Sequence, residues 1–287
     1  MTAPQPARRL MFVHAHPDDE ASKGAATAAR YVDEGAHVTL VTCTDGAAGE
    51  VLNPSFPTAT LDAVSLTRVR QDELADAVAA IGFHAAHQLG FPDSGWHKDA
   101  AAVPPGTFAR MDLDEAAEAL AGIVRDEQPH VVVTYGEDGG YPHPDHIMTH
   151  LVTMRALELA APAWQVAKVY AATSFLRERV VALHEAMLAA GLESPYTEWM
   201  ETGRKRDVVP HARIACADTF PRRDAALLAH ASQVDPDGLW FAVPREIERV
   251  AYPYEAYELV WSLVVTEVPE DDLFAGLDVA AWDARRT

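Results

Sequence analysis

Apolar runs alternate with helical stretches along the first 160 residues of the chain. Four short runs predict strands, at residues 10–13, 38–42, 86–91 and 131–135. Three intervening stretches predict helices, at residues 21–33, 66–81 and 114–127. Gly35, Gly82 and Pro129 stand just after these stretches and mark helix ends. Because short apolar strands separated by helices are typical of a parallel sheet buried on both faces, the pattern predicts an α/β sandwich.

The second half of the chain has a less regular pattern. It predicts strands at residues 168–173 and 257–265 and helices at residues 175–190 and 221–234. Residues 194–210 are polar and irregular, which indicates a loop or lid. The last ~15 residues are expected to form a loose tail, as chain ends often do. We see no internal repeat and no domain boundary, so we expect one domain over residues 1–287 with an irregular C-terminal portion.

Composition narrows the class of protein and its partners. Hydrophobic residues make up 49% of the 287 residues, and the only cysteines, Cys43 and Cys216, do not suggest a disulfide framework. The formal net charge of −20 disfavours nucleic acid and anionic lipid as partners. No apolar run reaches the ~18 residues needed to cross a bilayer, and the first residues do not have the pattern of a signal peptide. We therefore expect a cytoplasmic protein.

Two motifs carry the candidate chemistry. The first, HAHPDDE at residues 14–20, directly follows the first predicted strand, and the second, YPHPDH at residues 141–146, comes shortly after the run at 131–135. In a parallel sheet both segments leave the carboxyl ends of strands, where such folds bind ligands. Either motif alone could be structural, since Pro and Asp favour turns and an acid such as Glu20 suits the first turn of a helix. Two imidazole-and-carboxylate clusters at one edge favour a metal site.

The residue types indicate which metals and which reaction the site would support. Imidazole nitrogen and carboxylate oxygen without thiolate suit Zn²⁺, Fe²⁺, Co²⁺ or Mn²⁺. Three protein ligands leave one position for water, whose pKa falls to about 7 on zinc. A neighbouring carboxylate could accept the proton of this water, and a neighbouring histidine could protonate a leaving amine. The two motifs together predict a metal-dependent hydrolase.

The motifs resemble those of the LmbE-like, or glucosaminyl-phosphatidylinositol de-N-acetylase, superfamily, whose hallmarks are HPDDE near the start and HPDH near mid-chain. Four longer segments are similar to the mycothiol S-conjugate amidase branch: HAHPDDEASKGAAT, LGFPDSG, TYGEDGGYPHPDHI and HASQVDP. The resemblance extends over residues 8–255. The contexts of Lys23 and Pro142 point to this branch rather than to the deacetylase that makes the mycothiol precursor.

The resemblance implies a Rossmann-like, mostly parallel sheet between helices, with a metal-binding core at residues 8–160 and a substrate-capping portion at 161–287. It implies Zn²⁺ as the cofactor, with Fe²⁺ or another divalent ion as the alternative. The implied metal ligands are His16, Asp19 and His146. The implied catalytic residues are Asp18 as general base, His143 as general acid or charge stabiliser, Asp145 orienting His143, and Tyr141 at the developing oxyanion.

The resemblance also implies a small-molecule partner. In the amidase branch this is a mycothiol S-conjugate, cut at the amide between acetylcysteine and the glucosamine of glucosaminyl-inositol. The implied substrate-binding residues are Lys23, Glu50, Arg70, Asp93 and His230. Each has a plainer alternative: a solvated lysine, a surface acid, an arginine paired with Asp72 or Glu73, a turn residue and a structural histidine, respectively.

Two loops depart from the family pattern and leave the preferred substrate open. Ala47 and Ala48 stand where the family tends to have charged residues, and Gly136 and Asp138 stand where it usually has an acidic residue and an asparagine. These changes motivate an alternative role for the same chemistry, on a mycothiol adduct in lincosamide-like antibiotic biosynthesis. Two further alternatives are N-acetylglucosaminyl-inositol deacetylation and a non-catalytic sugar-binding protein of the same fold. The sequence does not indicate an oligomeric state.

Overall fold

A computed structural model of the protein describes residues 8–57, 63–173, 175–202 and 208–285. Within these ranges seven strands form one sheet in the order β3-β2-β1-β4-β5-β7-β6. The strands are β1 (Arg9–His14), β2 (His37–Thr44), β3 (Ala85–Phe91), β4 (Val131–Thr134), β5 (Lys168–Thr173), β6 (Ala212–Ala215) and β7 (Tyr254–Ser262). The first five are parallel, whereas β7 pairs antiparallel with β5 and β6. The predicted α/β fold with a mostly parallel sheet is confirmed.

Helices cover both faces of this sheet. They are α1 (Asp19–Ser22), α2 (Ala25–Asp33), α3 (Ala63–Ile81), α4 (Leu113–Glu127), α5 (Pro144–Ala160), α6 (Arg177–Ala189), α7 (Thr197–Thr202), α8 (Phe220–Ala229), α9 (Arg245–Ala251) and α10 (Val279–Asp283). Alternate residues of β1 point to opposite faces, as the pleat requires. Leu10 and Phe12 pack in a core with residues of α2, α3 and α8, whereas Met11 and Val13 pack in a second core with residues of α4 and α5.

The helix expected at residues 21–33 is interrupted. Gly24 has φ +114°, so α1 ends at Ser22 and α2 begins at Ala25. A Cβ at this glycine would lie 2.6 Å from Cε1 of Phe12, which explains why only glycine fits here. The interruption separates α1, which begins with the last two residues of the first motif, from α2.

Three expectations for the second half need correction. β6 was not predicted, because it is a four-residue edge strand, and β7 begins at Tyr254 instead of residue 257. The helix expected at 221–234 ends at Ala229. The polar stretch at 194–210 contains α7, and its residues 203–207 lie outside the described ranges.

The loose tail expected at the C-terminus is wrong for the residues that the structure describes. Phe274 and Trp282 are buried, and Nε1 of Trp282 donates to the carbonyl oxygen of Gln165 at 2.9 Å. Asp283 forms an ion pair with Arg9 at 2.5 Å. Both described cysteines are buried and unpaired. Of the helices in the described ranges, none combines the length and the apolar character that a membrane span requires.

Candidate metal centre

The two motifs meet because they follow neighbouring parallel strands. The first motif leaves β1 at His14, and the second follows β4 through a glycine-containing loop that ends at His143. His143 is the N-cap of α5, and its Nδ1 accepts a hydrogen bond from the backbone N–H of Asp145 at 3.2 Å. This cap aims the start of α5 at the first motif, so residues more than a hundred positions apart become neighbours.

Three predicted ligands converge at this point. Oδ2 of Asp19 lies 3.3 Å from Nδ1 of His16 and 3.4 Å from Nε2 of His146, and all three side chains are buried. Nδ1 of His146 lies 3.1 Å from the carbonyl oxygen of Gly139, to which it donates. Nε2 of His146 is therefore left as an unprotonated nitrogen that faces Asp19, and within the described ranges it has no hydrogen-bond partner. Two imidazole nitrogens and a carboxylate oxygen are a donor set of the kind that binds a divalent cation such as Zn²⁺ or Fe²⁺.

The structure brings a third imidazole to the same place. Ring nitrogens of His16, His143 and His146 all lie within 4.8 Å of one another. His143 is mostly buried, and burial together with the neighbouring His16 and His146 lowers its pKa to about 3. A neutral His143 whose Nδ1 accepts from Asp145 carries its proton on Nε2. It is therefore placed as a hydrogen-bond donor beside the three predicted metal ligands.

Asp145, which the resemblance implies as the residue that orients His143, contacts that ring through its backbone N–H and not through its carboxylate. Oδ2 of Asp145 instead accepts hydrogen bonds from Nε2 of His16 at 3.2 Å and from the backbone N–H of Ser94 at 2.9 Å. A carboxylate on one ring nitrogen of a histidine fixes the tautomer and leaves the other nitrogen for a metal. Burial lowers the pKa of His16, but the hydrogen bonds with Asp145 and Asp19 outweigh it and raise this pKa to about 10. The surroundings of His16 thus favour positive charge.

Tyr135 supports the cluster from behind and was missed in the sequence analysis. Its hydroxyl donates to Oδ2 of Asp19 at 2.7 Å and accepts from the backbone N–H of Ala15 at 2.9 Å. Its ring stacks on His146 with a centroid separation of 4.2 Å. Tyr135 ends an apolar run and reads as core, so the only signal in the sequence was its place at the end of that run.

Lys23 contacts Asp19, one of the three predicted metal ligands, rather than solvent. Its Nζ lies 2.5 Å from Oδ1 of Asp19, the oxygen that faces away from the two imidazoles. Burial raises the pKa of Asp19, but Lys23 and His146 outweigh this effect and hold the pKa well below its usual range. Asp19 therefore stays ionised, which is the form in which a carboxylate can bind a cation.

Asp18 adopts an unusual backbone conformation, with φ +126° and ψ −23°. Such a conformation costs about 1–3 kcal/mol in a non-glycine residue and persists only where neighbours hold it. Nη2 of Arg70 donates to Oδ2 of Asp18 at 3.0 Å and to the carbonyl oxygen of Pro17 at 2.6 Å, while Nη1 donates to Gly46 at 2.7 Å. Burial raises the pKa of Asp18, and Arg70 partly offsets the effect. A carboxylate with a raised pKa is a better proton acceptor.

The interactions of Arg70 exclude the plainer alternative for this residue. Arg70 is buried and its guanidinium binds the loops around Asp18 and Gly46. Glu73, which had been considered as its partner, instead accepts hydrogen bonds from the backbone N–H and hydroxyl of Ser232, both at 2.7 Å. Arg70 therefore shapes the first motif in addition to lining the cavity in front of it.

A cavity of about 940 Å³ opens in front of the predicted metal ligands His16 and Asp19. The predicted site residues that line it are His16, Asp18, Asp19, Lys23, Glu50, Arg70, Asp93, Tyr141 and His143. Asp145, His146 and His230 lie behind this lining. Tyr141 packs its ring edge-on against His146, at 4.7 Å between centroids. The second half of the chain lines the cavity with Thr173, Phe175, Leu176, Val208, Leu227, Gln233, Val234, Trp240 and Glu258.

His230 is not placed to touch a molecule in the cavity. It is fully buried at the end of α8, and its Nε2 lies 2.5 Å from Oε1 of Glu20. Burial opposes both charges, but the attraction between them raises the pKa of His230 and lowers that of Glu20. The expected substrate contact at His230 is replaced by a buried ion pair.

Comparisons with known proteins agree with this geometry. The family model "PIG-L: GlcNAc-PI de-N-acetylase" matches residues 11–157, a segment that contains both motifs. The chain is 47% identical over 287 residues to a mycothiol S-conjugate amidase of Streptomyces coelicolor, covering 94% of this chain and 97% of that protein. It is 42% identical over 294 residues to a 1D-myo-inositol 2-acetamido-2-deoxy-α-D-glucopyranoside deacetylase of Geodermatophilus obscurus, covering 95% of this chain and 99% of that protein.

A solved structure shows the same fold at much lower sequence identity. The N,N'-diacetylchitobiose deacetylase from Pyrococcus horikoshii superposes with a TM-score of 0.59 at 17% identity, covering 88% of this chain and 84% of that one. At this level of identity the likeness supports the fold alone. The two curated relatives act on different amide bonds, so the cavity must decide between their substrates.

Proposed function

Because the chain belongs to the PIG-L, or GlcNAc-PI de-N-acetylase, family and is a hydrolase of amide bonds, we propose that it cleaves mycothiol S-conjugates. The bond cut is the amide between acetylcysteine and glucosaminyl-inositol, and the products are an acetylcysteine S-conjugate and the free amine of the pseudodisaccharide. The observation that carries this proposal is the convergence of His16, Asp19 and His146 at a cavity of about 940 Å³.

In this proposal His16, Asp19 and His146 hold the cation, with Zn²⁺ favoured and Fe²⁺ as the alternative. When bound, such an ion would polarise the amide carbonyl and acidify a water molecule. Asp145 and Tyr135 keep His16 and Asp19 oriented for this task. Both supporting contacts are hydrogen bonds made by buried groups, so the ligands are held in place before the ion arrives.

The proton transfers fall to residues on the cavity wall. Asp18 accepts a proton from the attacking water, since it lines the cavity and Arg70 binds only its Oδ2. The same proton then moves to the nitrogen of the leaving amine as the C–N bond breaks. His143 presents Nε2–H, and Tyr141 presents its hydroxyl, as donors to the carbonyl oxygen while negative charge builds on it.

Two kinds of surface in the cavity support a thiol conjugate as the substrate. Lys23, Glu50, Arg70 and Asp93 offer charged groups that suit the hydroxyls of glucosamine and inositol. Apolar side chains also line the cavity, and the largest are Leu52, Trp96, Phe175, Leu176 and Trp240. Trp96 and Phe175 remain 59% and 49% exposed, so an apolar group on sulfur would cover aromatic surface that an acetyl group is too small to reach.

We further propose that residues 1–287 act as one domain in the cytoplasm, with the portion after residue 160 capping the substrate. Phe175, Leu176 and Trp240 from this portion line the cavity, while every proposed metal ligand precedes it. Burial of Cys43 and Cys216 as free thiols suits a reducing compartment. The acidic net charge of −20 suits a small neutral conjugate better than a polyanion.

The altered loops favour one second candidate, turnover of a bulkier adduct on a pathway to a sulfur-containing antibiotic. Ala48, Gly136 and Asp138, which depart from the family pattern, all line the cavity. Ala48 and Gly136 are smaller than the charged residues of the family pattern and leave more space in the cavity. The chemistry would be the same, and only the group on sulfur would differ.

Product analysis with metal-loaded protein tests these assignments. The panel is the bimane conjugate of mycothiol, a mycothiol adduct of a bulky sugar-containing group, and N-acetylglucosaminyl-inositol, with Asp18→Asn as the control. We expect an acetylcysteine S-conjugate and glucosaminyl-inositol from the conjugates, detected by mass spectrometry, and loss of turnover in Asp18→Asn. Release of acetate from the third compound alone would instead identify a deacetylase, preference for the bulky adduct would favour the biosynthetic role, and no product from any compound would favour a binding protein.

A further inference from the structure

The backbone of Asp18 is held by a buried ion pair that reaches it from the far end of the chain. The backbone N–H of Asp18 donates to Oε2 of Glu20 at 3.0 Å, and Oε1 of the same carboxylate lies 2.5 Å from Nε2 of His230. Glu20 and His230 are 1% and 0% exposed. His230 thus acts on Asp18 through Glu20 across a separation of more than 200 residues.

Glu20 is poorly fixed by its own helix. It belongs to α1, which has four residues and ends where Gly24 interrupts the chain. Within the described ranges, His230 is the one side chain that hydrogen-bonds the carboxylate of Glu20, which otherwise accepts only from backbone N–H groups. His230 in turn is fixed by the loop that follows α8, where the backbone N–H and hydroxyl of Ser232 bind Glu73.

The direction of the Asp18 N–H matters because the residue has φ +126°. Few backbone conformations with positive φ are open to a residue with a side chain, so the segment relaxes unless it is held on both sides. Arg70 holds the side chain and the preceding carbonyl, and Glu20 holds the N–H. Loss of the Glu20 contact would let the peptide rotate and carry the carboxylate away from the cavity.

We propose that Glu20 and His230 form a positioning pair that keeps Asp18 in the conformation required for proton transfer. The inference rests on the proposed function, in which Asp18 is the base. Neither residue touches the substrate, because both are buried and neither lines the cavity. Through His230, the portion after residue 160 therefore helps to position Asp18, in addition to lining the cavity.

Three substitutions at one position separate this role from simple stabilisation. Gln can place its amide nitrogen where Nε2 of His230 stands, so His230→Gln keeps a donor to Glu20. Asn is too short to reach Glu20, and Leu has no donor. His130→Leu is the matched control, because His130 is also fully buried and bonded to a carboxylate, that of Asp283 at 3.1 Å, but stands at the amino end of β4, away from the cavity.

We expect His230→Leu and His230→Asn to lower kcat for the bimane conjugate by about tenfold to hundredfold, as small displacements of catalytic groups do. KM should stay within about twofold, because only an interaction of the transition state is lost. His230→Gln should recover most of kcat, His130→Leu should keep it, and every variant should retain bound metal. A crystal structure of His230→Asn should show Asp18 with φ moved away from +126°.

Two results would overturn the positioning role. In the first, the His230 variants lose no more kcat than His130→Leu at equal loss of thermal stability. In the second, KM rises while kcat holds, which would restore a substrate contact. Turnover by the wild-type protein is measured first, so a failure of the proposed function shows as no product from wild type. The φ of Asp18 in the variant then still decides whether Glu20 and His230 hold the backbone.

Discussion

Nε2 of His16 lies 3.2 Å from Oδ2 of Asp145, and this contact turns Nδ1 of the same ring toward Asp19. The relationship gives Asp145 a second task beside the orientation of His143 that was expected from sequence. Its carboxylate sets the tautomer of His16, a proposed metal ligand, while its backbone N–H sets the tautomer of His143. One residue thereby prepares both the cation site and the neighbouring donor.

Replacing Asp145 by Asn should weaken metal binding by about tenfold to hundredfold, since supporting carboxylates contribute this much to metal affinity. The reason is that the amide no longer favours a proton on Nε2 of His16. Competition with a fluorescent chelator measures the affinity. Glu50→Gln, an acid of the cavity wall, should bind metal as tightly as wild type. Equal affinity in Asp145→Asn would mean that His16 does not bind through Nδ1.

Removing Arg70 should lower both the stability of the protein and its rate of turnover. Arg70→Met leaves the carbonyls of Pro17 and Gly46 and the carboxylate of Asp18 without their donor, a loss of about 3–5 kcal/mol for a buried charged group. Urea unfolding measures this change. Arg68→Met is the matched control on the same helix, because Arg68 is exposed, and it should change stability by about 0.5 kcal/mol at most. Similar unfolding curves for the two variants would contradict the role of Arg70.

The aromatic part of the cavity should control the preference for the group on sulfur. Phe175→Ala removes half-exposed aromatic surface and should cost about 1 kcal/mol of binding for a bimane conjugate, a fivefold to tenfold rise in KM. A methyl conjugate should change much less, because its substituent is too small to cover that surface. Leu188→Ala, an exposed residue of α6 outside the cavity, is the control. An equal rise in KM for both conjugates would mean that the group on sulfur does not contact Phe175.

Glu248 should make stability depend on pH at the acid end. It is buried beside Arg179, Arg223 and Arg245; burial raises its pKa, but the three arginines outweigh this and lower the pKa from 4.5 to about 2. Its stabilisation is therefore complete above the unfolded-state pKa and is lost as the pH falls through the folded-state pKa. The shift corresponds to about 3 kcal/mol. Glu248→Gln should lose this amount at pH 7 and show a flatter decline in stability between pH 4.5 and 2.

Urea titrations at several pH values test this prediction. Wild type should lose its extra stability only below pH 4.5, whereas the variant should already lack it at neutral pH. If the free energies of unfolding of the two proteins were equal at pH 7 and fell equally toward low pH, the arginines would not stabilise the charged form of Glu248.

Sequence patterns predicted the features that depend on local order. The apolar runs of β1, β2 and β4 give a buried parallel sheet, and the carboxyl edge of that sheet places both motifs together. What sequence did not reveal depends on partners that are remote in the chain. The sequence pattern predicts Tyr135 as a core residue and does not show that its hydroxyl donates to Asp19. It predicts Trp282 as part of a loose tail and does not show that this residue belongs to the hydrophobic core on one face of the sheet.

Resemblance extended the prediction to residue roles but not to their contacts. His230 matches a family segment that implies a substrate contact, yet the only hydrogen-bond partner of its side chain in the described ranges is Glu20. Asp145 matched a motif that suggested pairing with His143, yet the start of α5 turns its carboxylate to His16. Motif spacing places residues at one edge of the sheet, and only the packing of helices decides which atoms meet.

We infer that His16, Asp19 and His146 bind one cation at the floor of the cavity. Anomalous X-ray diffraction from crystals of metal-loaded protein, recorded at the absorption edge of the metal, tests it most directly. We expect one peak bounded by Nδ1 of His16, Oδ2 of Asp19 and Nε2 of His146. A peak among His16, Asp93 and Asp145 or among His16, His143 and His146, whose potential ligand atoms also lie within 4.8 Å of one another, would rule this site out, as would the absence of a peak in protein that hydrolyses its substrate.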